Sequence, residues 1–231
     1  MNQAVATHRA LKKEIRALLQ DAKFATAMSA LKDYPARKVV NPLISFFCSS
    51  DMRLRWRAIS GMGVVVSHLA DAQMESARVI MRRLMWTLND ESGGIGWGAP
   101  EAMGDITARH KALADEFGCI LVSYIRPDCN FLEHPILQRG VLWGLGRLAH
   151  VRAEMVVEAV PFIRPFLDSD DAVHRGLAAW ALRAVDDTFR MNTSRPLFHD
   201  RGALEFYYNG DLMTVTVGAL AAGKQPPASF S

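Results

Sequence analysis

Four segments of the chain align with one another without gaps. They are Leu54-Arg-Trp-Arg-Ala-Ile-Ser-Gly-Met-Gly63, Ile95-Gly-Trp-Gly-Ala-Pro-Glu-Ala-Met-Gly104, Leu137-Gln-Arg-Gly-Val-Leu-Trp-Gly-Leu-Gly146 and His174-Arg-Gly-Leu-Ala-Ala-Trp-Ala-Leu-Arg183. Their ends fall at 63, 104, 146 and 183, so the spacings are 41, 42 and 37 residues. A period near 40 is that of a two-helix repeat, in which each helix pair buries its apolar face only by stacking on the next.

Each segment follows a second apolar stretch at helical spacing: Val39 to Phe47, Ala77 to Leu88, Leu113 to Ile125 and Val156 to Leu167. Between the two lie turn and capping residues: Ser49-Ser50-Asp51, Asn89 to Ser92, Pro127 to Asn130, and Asp168 to Asp171. Small residues recur at Gly61, Ala102, Gly144 and Ala181, where a neighbouring helix can come close. The second segments carry an Ala-x-x-Ala-Leu-Gly-like pattern, clearest at Ala99…Ala102-Met103-Gly104 and Val141…Gly144-Leu145-Gly146, with Arg183 replacing the last glycine. The pattern resembles the short bacterial HEAT-like repeats, including the phycobilin-lyase type, over about residues 37–187. The resemblance implies an all-α fold, an α-solenoid of about four helix pairs, and leaves function open among scaffolds, enzymes and nucleic-acid binders.

The flanks differ. Residues 1–36 predict capping helices, with Leu11, Ile15, Leu18 and Leu19 at helical spacing. Residues 188–231 predict a linker, a β-hairpin over 203–217 and a flexible tail from Ala222. The hairpin signal is Asn209-Gly210 between two β-prone runs. A lone hairpin is marginal in water, so it is expected to pack on the last helix pair, close the solenoid or mediate a homodimer.

Alignment of the repeats separates two faces of the second helices, because residues three or four apart are helical neighbours. One face holds Ala58, Met62 and Val65; Ala99, Met103 and Ile106; Val141, Leu145 and Leu148; and Ala178, Leu182 and Val185. All are apolar, which marks the core. The adjacent stripe holds Trp56, Ser60 and Val64; Trp97, Glu101 and Asp105; Arg139, Trp143 and Arg147; and Gly176, Trp180 and Ala184. Four of the five tryptophans share this stripe with two acids and two arginines. Solenoids commonly bind along the surface that the second helices line, and tryptophan and arginine are frequent hot-spot residues. The expected ligand groove is therefore Trp56, Trp97, Glu101, Asp105, Arg139, Trp143, Arg147 and Trp180. The competing account makes the tryptophans inter-helix filler and pairs the acids with the arginines.

The second repeat carries an irregular loop. Gly93, Gly94, Gly96 and Gly98 fall within nine residues, and Pro100 suits only the first turn of a helix starting near Gly98. Free N–H groups there could hold an anion, unless Glu101 itself complements the helix terminus. No strand precedes this run, so it is not a dinucleotide fingerprint.

Several classes are excluded. No apolar run reaches the roughly 18 residues of a membrane span, and the first residues lack a signal peptide's apolar stretch. Cys48, Cys119 and Cys129 make no disulfide framework, which points to a reducing cytoplasm. Cys119, Cys129 and His134 match no zinc spacing, and the cysteines are expected to be buried as small hydrophobes. No metal, cofactor, P-loop or Gly-x-Ser-x-Gly site is read from the chain. His68, His110 and His150 follow the second helices and suit their C-terminal ends. Arg53, Arg55 and Arg57 with Arg82 and Arg83 form a basic patch of the solvated or acid-paired kind. The net charge is only +3, with 20 arginines and 7 lysines.

The leading expectation is a non-enzymatic scaffold that binds a protein segment or other ligand in the groove. The alternative rests on similarity to the HEAT-like alkylpurine DNA glycosylases, which set a catalytic aspartate among tryptophans and arginines. In that reading Glu101 or Asp105 would be the catalytic carboxylate, stabilising the cationic sugar as a damaged base leaves. The sparse lysines and low net charge weigh against strong phosphate neutralisation.

Overall fold

The computed structural model describes residues 8–88, 96–192 and 196–224. Gly93 and Gly94, and most of the C-terminal tail, lie outside the described residues. Two short helices come first, α1 (His8–Leu19) and α2 (Phe24–Ala30). Ile15 and Leu19 of α1 are fully buried, as the helical spacing of its apolar residues requires.

The repeats follow as α3 (Ala36–Phe46), α4 (Met52–Ala72), α5 (Met74–Leu88), α6 (Ala99–Arg109), α7 (Lys111–Ser123), α8 (Pro135–Ala149), α9 (Val160–Ile163) and α10 (Ala172–Val185). The second helices α4, α6, α8 and α10 pack side by side in chain order, and α3, α5 and α7 lie against them. The architecture is an α-helical solenoid. The apolar face of the second helices is its core, from Ala58, Met62 and Val65 through Ala178 and Leu182; only Val185, at the end of α10, is half-buried. Gly104 of α6 and Gly144 of α8 face each other so closely that a Cβ on Gly104 would overlap the Gly144 backbone.

Capping follows the chemistry of the turns. The Asp51 carboxylate accepts from the Leu54 N–H at 3.0 Å, and that of Asp171 from the Val173 N–H at 2.8 Å. The His110 side chain does not serve the helix that it follows, although its backbone N–H closes that helix on the Ile106 carbonyl. Its Nδ1 accepts from the Leu113 N–H and so caps α7. His134 caps α8 in the same way.

The stretch Val156 to Leu167 is not a continuous helix. It breaks into 3-10 turns around the single α-turn of α9. Pro161 and Pro165 lack the N–H that would bond back one turn, and their rings crowd the carbonyls there. The cysteines also depart from expectation. Cys48, Cys119 and Cys129 are all exposed, and Cys119 shares the outward side of α7 with Asp115 and Glu116. Nor do the first-repeat arginines form one patch, because Arg57 is only 1% exposed.

After α10 come α11 (Asp187–Met191), β1 (Ala203–Tyr208), β2 (Asp211–Thr216) and α12 (Val217–Ala221). The predicted linker thus contains a short helix, and Val217 begins α12 rather than ending the hairpin, with the Thr216 hydroxyl as its cap. β1 and β2 pair antiparallel with Tyr208 opposite Asp211 and Ala203 opposite Thr216. Asn209 (φ 48°) and Gly210 (φ 93°) supply the two left-handed residues that a two-residue hairpin turn needs. The hairpin lies across the inner face of the second helices, with its root by α10 and α12 and its turn at α4.

Candidate functional site

The hairpin covers most of the tryptophan stripe. The Tyr207 ring stacks on Trp56 at 5.0 Å, its hydroxyl pairs with Ser60 at 2.8 Å, and its carbonyl accepts from Trp143 Nε1 at 3.1 Å. Phe206 meets Trp180 edge-on at 5.0 Å. Trp56, Trp143 and Trp180 run as a row, with centroids 4.8 and 6.1 Å apart. Trp143 and Trp180 are 3% and 2% exposed, so they are covered by the hairpin. Burial pushes the Tyr207 hydroxyl well above the usual phenol range.

Beside the hairpin a cleft of about 370 Å³ remains. One wall is β1. The other is the N-terminal halves of the second helices: Arg55 and Trp56 of α4, Glu101 of α6, Ile136, Arg139, Gly140 and Trp143 of α8, and Val173 and Leu177 of α10.

Glu101 is the buried acid of this cleft, 4% exposed in the first turn of α6. Its Oε1 lies 3.5 Å from the Arg55 guanidinium, while Oε2 has no hydrogen-bond partner. Burial raises its pKa, against the opposing pull of Arg55 and of the Glu101 backbone N–H. Gly140 makes room for the carboxylate, since a Cβ there would sit 2.6 Å from Oε2. Among the described residues, three buried side-chain polar atoms lack a partner: Glu101 Oε2, Arg55 Nε and Trp180 Nε1. The first two belong to residues that line the cleft.

Other residues of the stripe lie elsewhere. Asp105 is buried beyond the cleft, held by Arg109 Nε at 2.6 Å and Arg147 Nε at 2.8 Å. Gly63 of α4 has no side chain to obstruct this triad; a Cβ there would overlap the Asp105 carboxylate. Arg139, at the cleft mouth, pairs with Asp171 at 2.7 Å. Trp97 packs on His134 and under the Arg55 guanidinium, outside the cleft lining. Gly98 (φ 77°) begins α6 against the Phe47 ring, and Gly96 (φ 29°) precedes it. The Glu101 carboxylate already occupies that helix terminus. His150 stacks on Trp180 at 4.9 Å, and burial lowers its pKa.

Two members of the cleft were not legible as such. Arg55 stands one position outside the aligned stripe, in what looked like a surface basic run. Tyr207 sits in a strand distant in sequence, and only the aromatic density of Phe206-Tyr207-Tyr208 hinted at a buried partner.

Residues 135–185, which span α8 to α10, match the HEAT-like repeat family. Those residues carry a HEAT-like repeat, and the chain as a whole is an α-helical solenoid. It is 26% identical over 175 residues to an uncharacterised protein of Archaeoglobus fulgidus, across 75% of its own length and 88% of that relative's. It is similar to two engineered proteins of known crystal structure. One is 18% identical, with a TM-score of 0.42, covering 75% of this chain and 78% of that one. The other is 17% identical, with a TM-score of 0.43, covering 80% and 81%. Among the described residues, no helix is long and apolar enough to cross a membrane, and no cluster of three or more His, Cys, Asp or Glu is placed to hold a metal ion.

Proposed function

We propose that this HEAT-like scaffold binds a ligand in the cleft between β1 and the second helices, with Glu101 as its recognition group. The observation that carries this reading is a buried carboxylate, Glu101, in the lining of a cavity of about 370 Å³ with its Oε2 left without a hydrogen-bond partner. An unsatisfied buried acceptor is unfavourable by roughly 1–3 kcal/mol, and more when charged. The other deeply buried acids are fully engaged: Asp105 by two arginines, and Asp186 by Arg164 at 2.6 Å and the Phe189 N–H. A ligand that offers a donor to Glu101 and an apolar body to Trp56, Ile136 and Leu177 would satisfy the site.

The test is a fragment set of small aromatic amines, amides and carboxylates, followed by the fluorescence of Trp56 and Trp143 and by thermal shift. Amines and amides are expected to bind, and Glu101→Gln is expected to weaken them at least about tenfold, the scale of one charge-assisted hydrogen bond. Absence of any Glu101-dependent binding would overturn the reading.

A second reading, release of a damaged base from DNA with Glu101 as the catalytic carboxylate, draws support from Arg55 and Arg139 at the cleft. The hairpin weighs against it by occupying the inner face along which a duplex would lie. Salt-sensitive binding of an alkylated duplex with Glu101-dependent base release would reverse this order. For self-association through the hairpin, Leu204, Phe206 and Tyr207 are already buried within the chain.

A further inference from the structure

We infer that the cleft takes an extended peptide, which adds to the free edge of β1 as a third strand and sets a lysine or arginine side chain on Glu101. The inference rests on the cleft being a binding site and names the class of its occupant.

The argument begins with the register. A two-residue turn makes Tyr208 and Asp211 the first hydrogen-bonded pair. Alternation then makes Phe206–Met213 and Leu204–Val215 hydrogen-bonded pairs and turns the N–H and C=O groups of Tyr207, Glu205 and Ala203 out of the hairpin. Two contacts agree with that phase. The Tyr207 carbonyl is engaged from outside the hairpin, by Trp143. Beyond Ala203, the Val217 N–H donates to Gly202, the next inward residue.

The outward edge faces the cleft. Ala203, Leu204, Glu205 and Tyr207 all line it, opposite helices α4, α6, α8 and α10. Outside the hairpin, the backbone groups of Ala203 and Glu205 have no backbone partner among the described residues. Proteins usually blunt such an edge with proline, lysine or a covering segment. β1 contains no proline and no lysine. Trp143 already takes the Tyr207 carbonyl, so the open edge runs from Ala203 to about Phe206, roughly 13 Å, which matches a paired core of about four peptide residues.

The side chains set the chemistry. Ile136, Val173 and Leu177 offer an apolar floor toward α10. Toward α6 the floor is Glu101, with its free Oε2. Around the cleft, Glu101, Glu205 and Asp171 face Arg55 and Arg139, three acids against two cations. One further positive charge balances them, and the unpartnered Arg55 Nε can donate to a peptide carbonyl. The cleft therefore reads main chain along β1, an apolar side chain at one end and a basic one at the other, as in other strand-addition sites.

The experiment is selection of a random heptapeptide display library on the folded protein, with Glu101→Gln and Val173→Arg as counter-targets. Val173 is half-buried at the cleft wall, at the margin of the core, so its replacement fills the cleft, and a thermal melt checks that the variant is folded. Selected peptides are expected to pair β-branched residues with a lysine or arginine and to lose at least about tenfold in affinity on both variants. N-methylation of single backbone amides should weaken binding at every second position only, because a strand shows its N–H groups to a given edge in alternation. Glu101-dependent peptides without that alternation, or fragments that bind where no peptide does, would overturn strand addition and leave the cleft as a binding site. If neither peptides nor fragments respond to Glu101→Gln, both readings fall.

Discussion

Arg57 donates from Nε to the carbonyl of Gly210 at 3.2 Å, joining the first repeat to the hairpin turn across 153 residues of sequence. The same guanidinium donates to the Leu19 carbonyl at 3.1 Å and to the Asp21 carbonyl, and it lies over the Phe24 ring at 5.4 Å. One buried arginine therefore fixes the N-terminal helices and the hairpin turn to α4. At the other end of the hairpin, Arg175 holds Asp200 at 2.8 Å.

Removing the Arg57 latch should be severe. Arg57→Ala leaves two buried carbonyls, those of Leu19 and Gly210, and the part-buried one of Asp21 without their charged donor, and an expected loss of about 3 kcal/mol follows. Urea unfolding measures the loss. Hydrogen exchange should show residues 203–216 becoming labile before the helices do, with a red-shifted emission as Trp143 is uncovered. A stability change with unaltered hairpin protection would contradict the latch.

Gly104→Ala tests the approach of α6 to α8. The added Cβ meets the Gly144 backbone rather than a yielding side chain, so the two helices must part. A loss of about 3 kcal/mol is expected, at the upper end for overpacking. Gly118→Ala serves as control, since its nearest contacts are ordinary at 3.7 Å, and it should be neutral or slightly stabilising in mid-helix.

Glu101 predicts a pH dependence with a definite sign. Burial raises its pKa in the native state, so the folded chain holds this proton more tightly than the unfolded chain. Its contribution to stability is fully present below the ordinary glutamate value of about 4.3 and declines as pH rises from there through the native pKa. Glu101→Gln should flatten that part of the stability profile. An unchanged slope in chemical denaturation across the range would refute the assignment.

Asp105→Asn probes the buried triad. Arg109 and Arg147 would lose their shared counter-charge, and because both reach water their stranding is moderated. An expected loss of about 2–3 kcal/mol lies below that for a wholly buried pair. Fragment or peptide affinity at the cleft should hold, because Asp105 lies outside its lining. The measurement is a urea melt beside a binding titration on the same variant.

The fold was legible because its signals are local and repeated. Helical periodicity, Asp51 and Asp171 as caps, and Asn209-Gly210 as a turn each act within a few residues. The segment at 156–167 has helical apolar spacing, but Pro161 and Pro165 break it. The stripe was visible as chemistry but not as geometry. Repeat alignment places Trp143 and Glu101 on the same side of the second helices, yet it cannot say that a strand 64 residues beyond Trp143 will cover it. Nor does it reveal that Gly140 matters for the space that it leaves to Glu101. Such facts belong to contacts between distant segments, which no local pattern encodes.

The placement of β1 also sets a timetable. During synthesis the helix pairs can stack as they emerge, each on the one before. The cleft cannot exist at that stage, because one of its walls is made last. Until the hairpin arrives, Trp143 and Trp180 face water as a sticky strip on a half-made chain. A ligand held against β1 would thus select molecules whose translation has passed the hairpin.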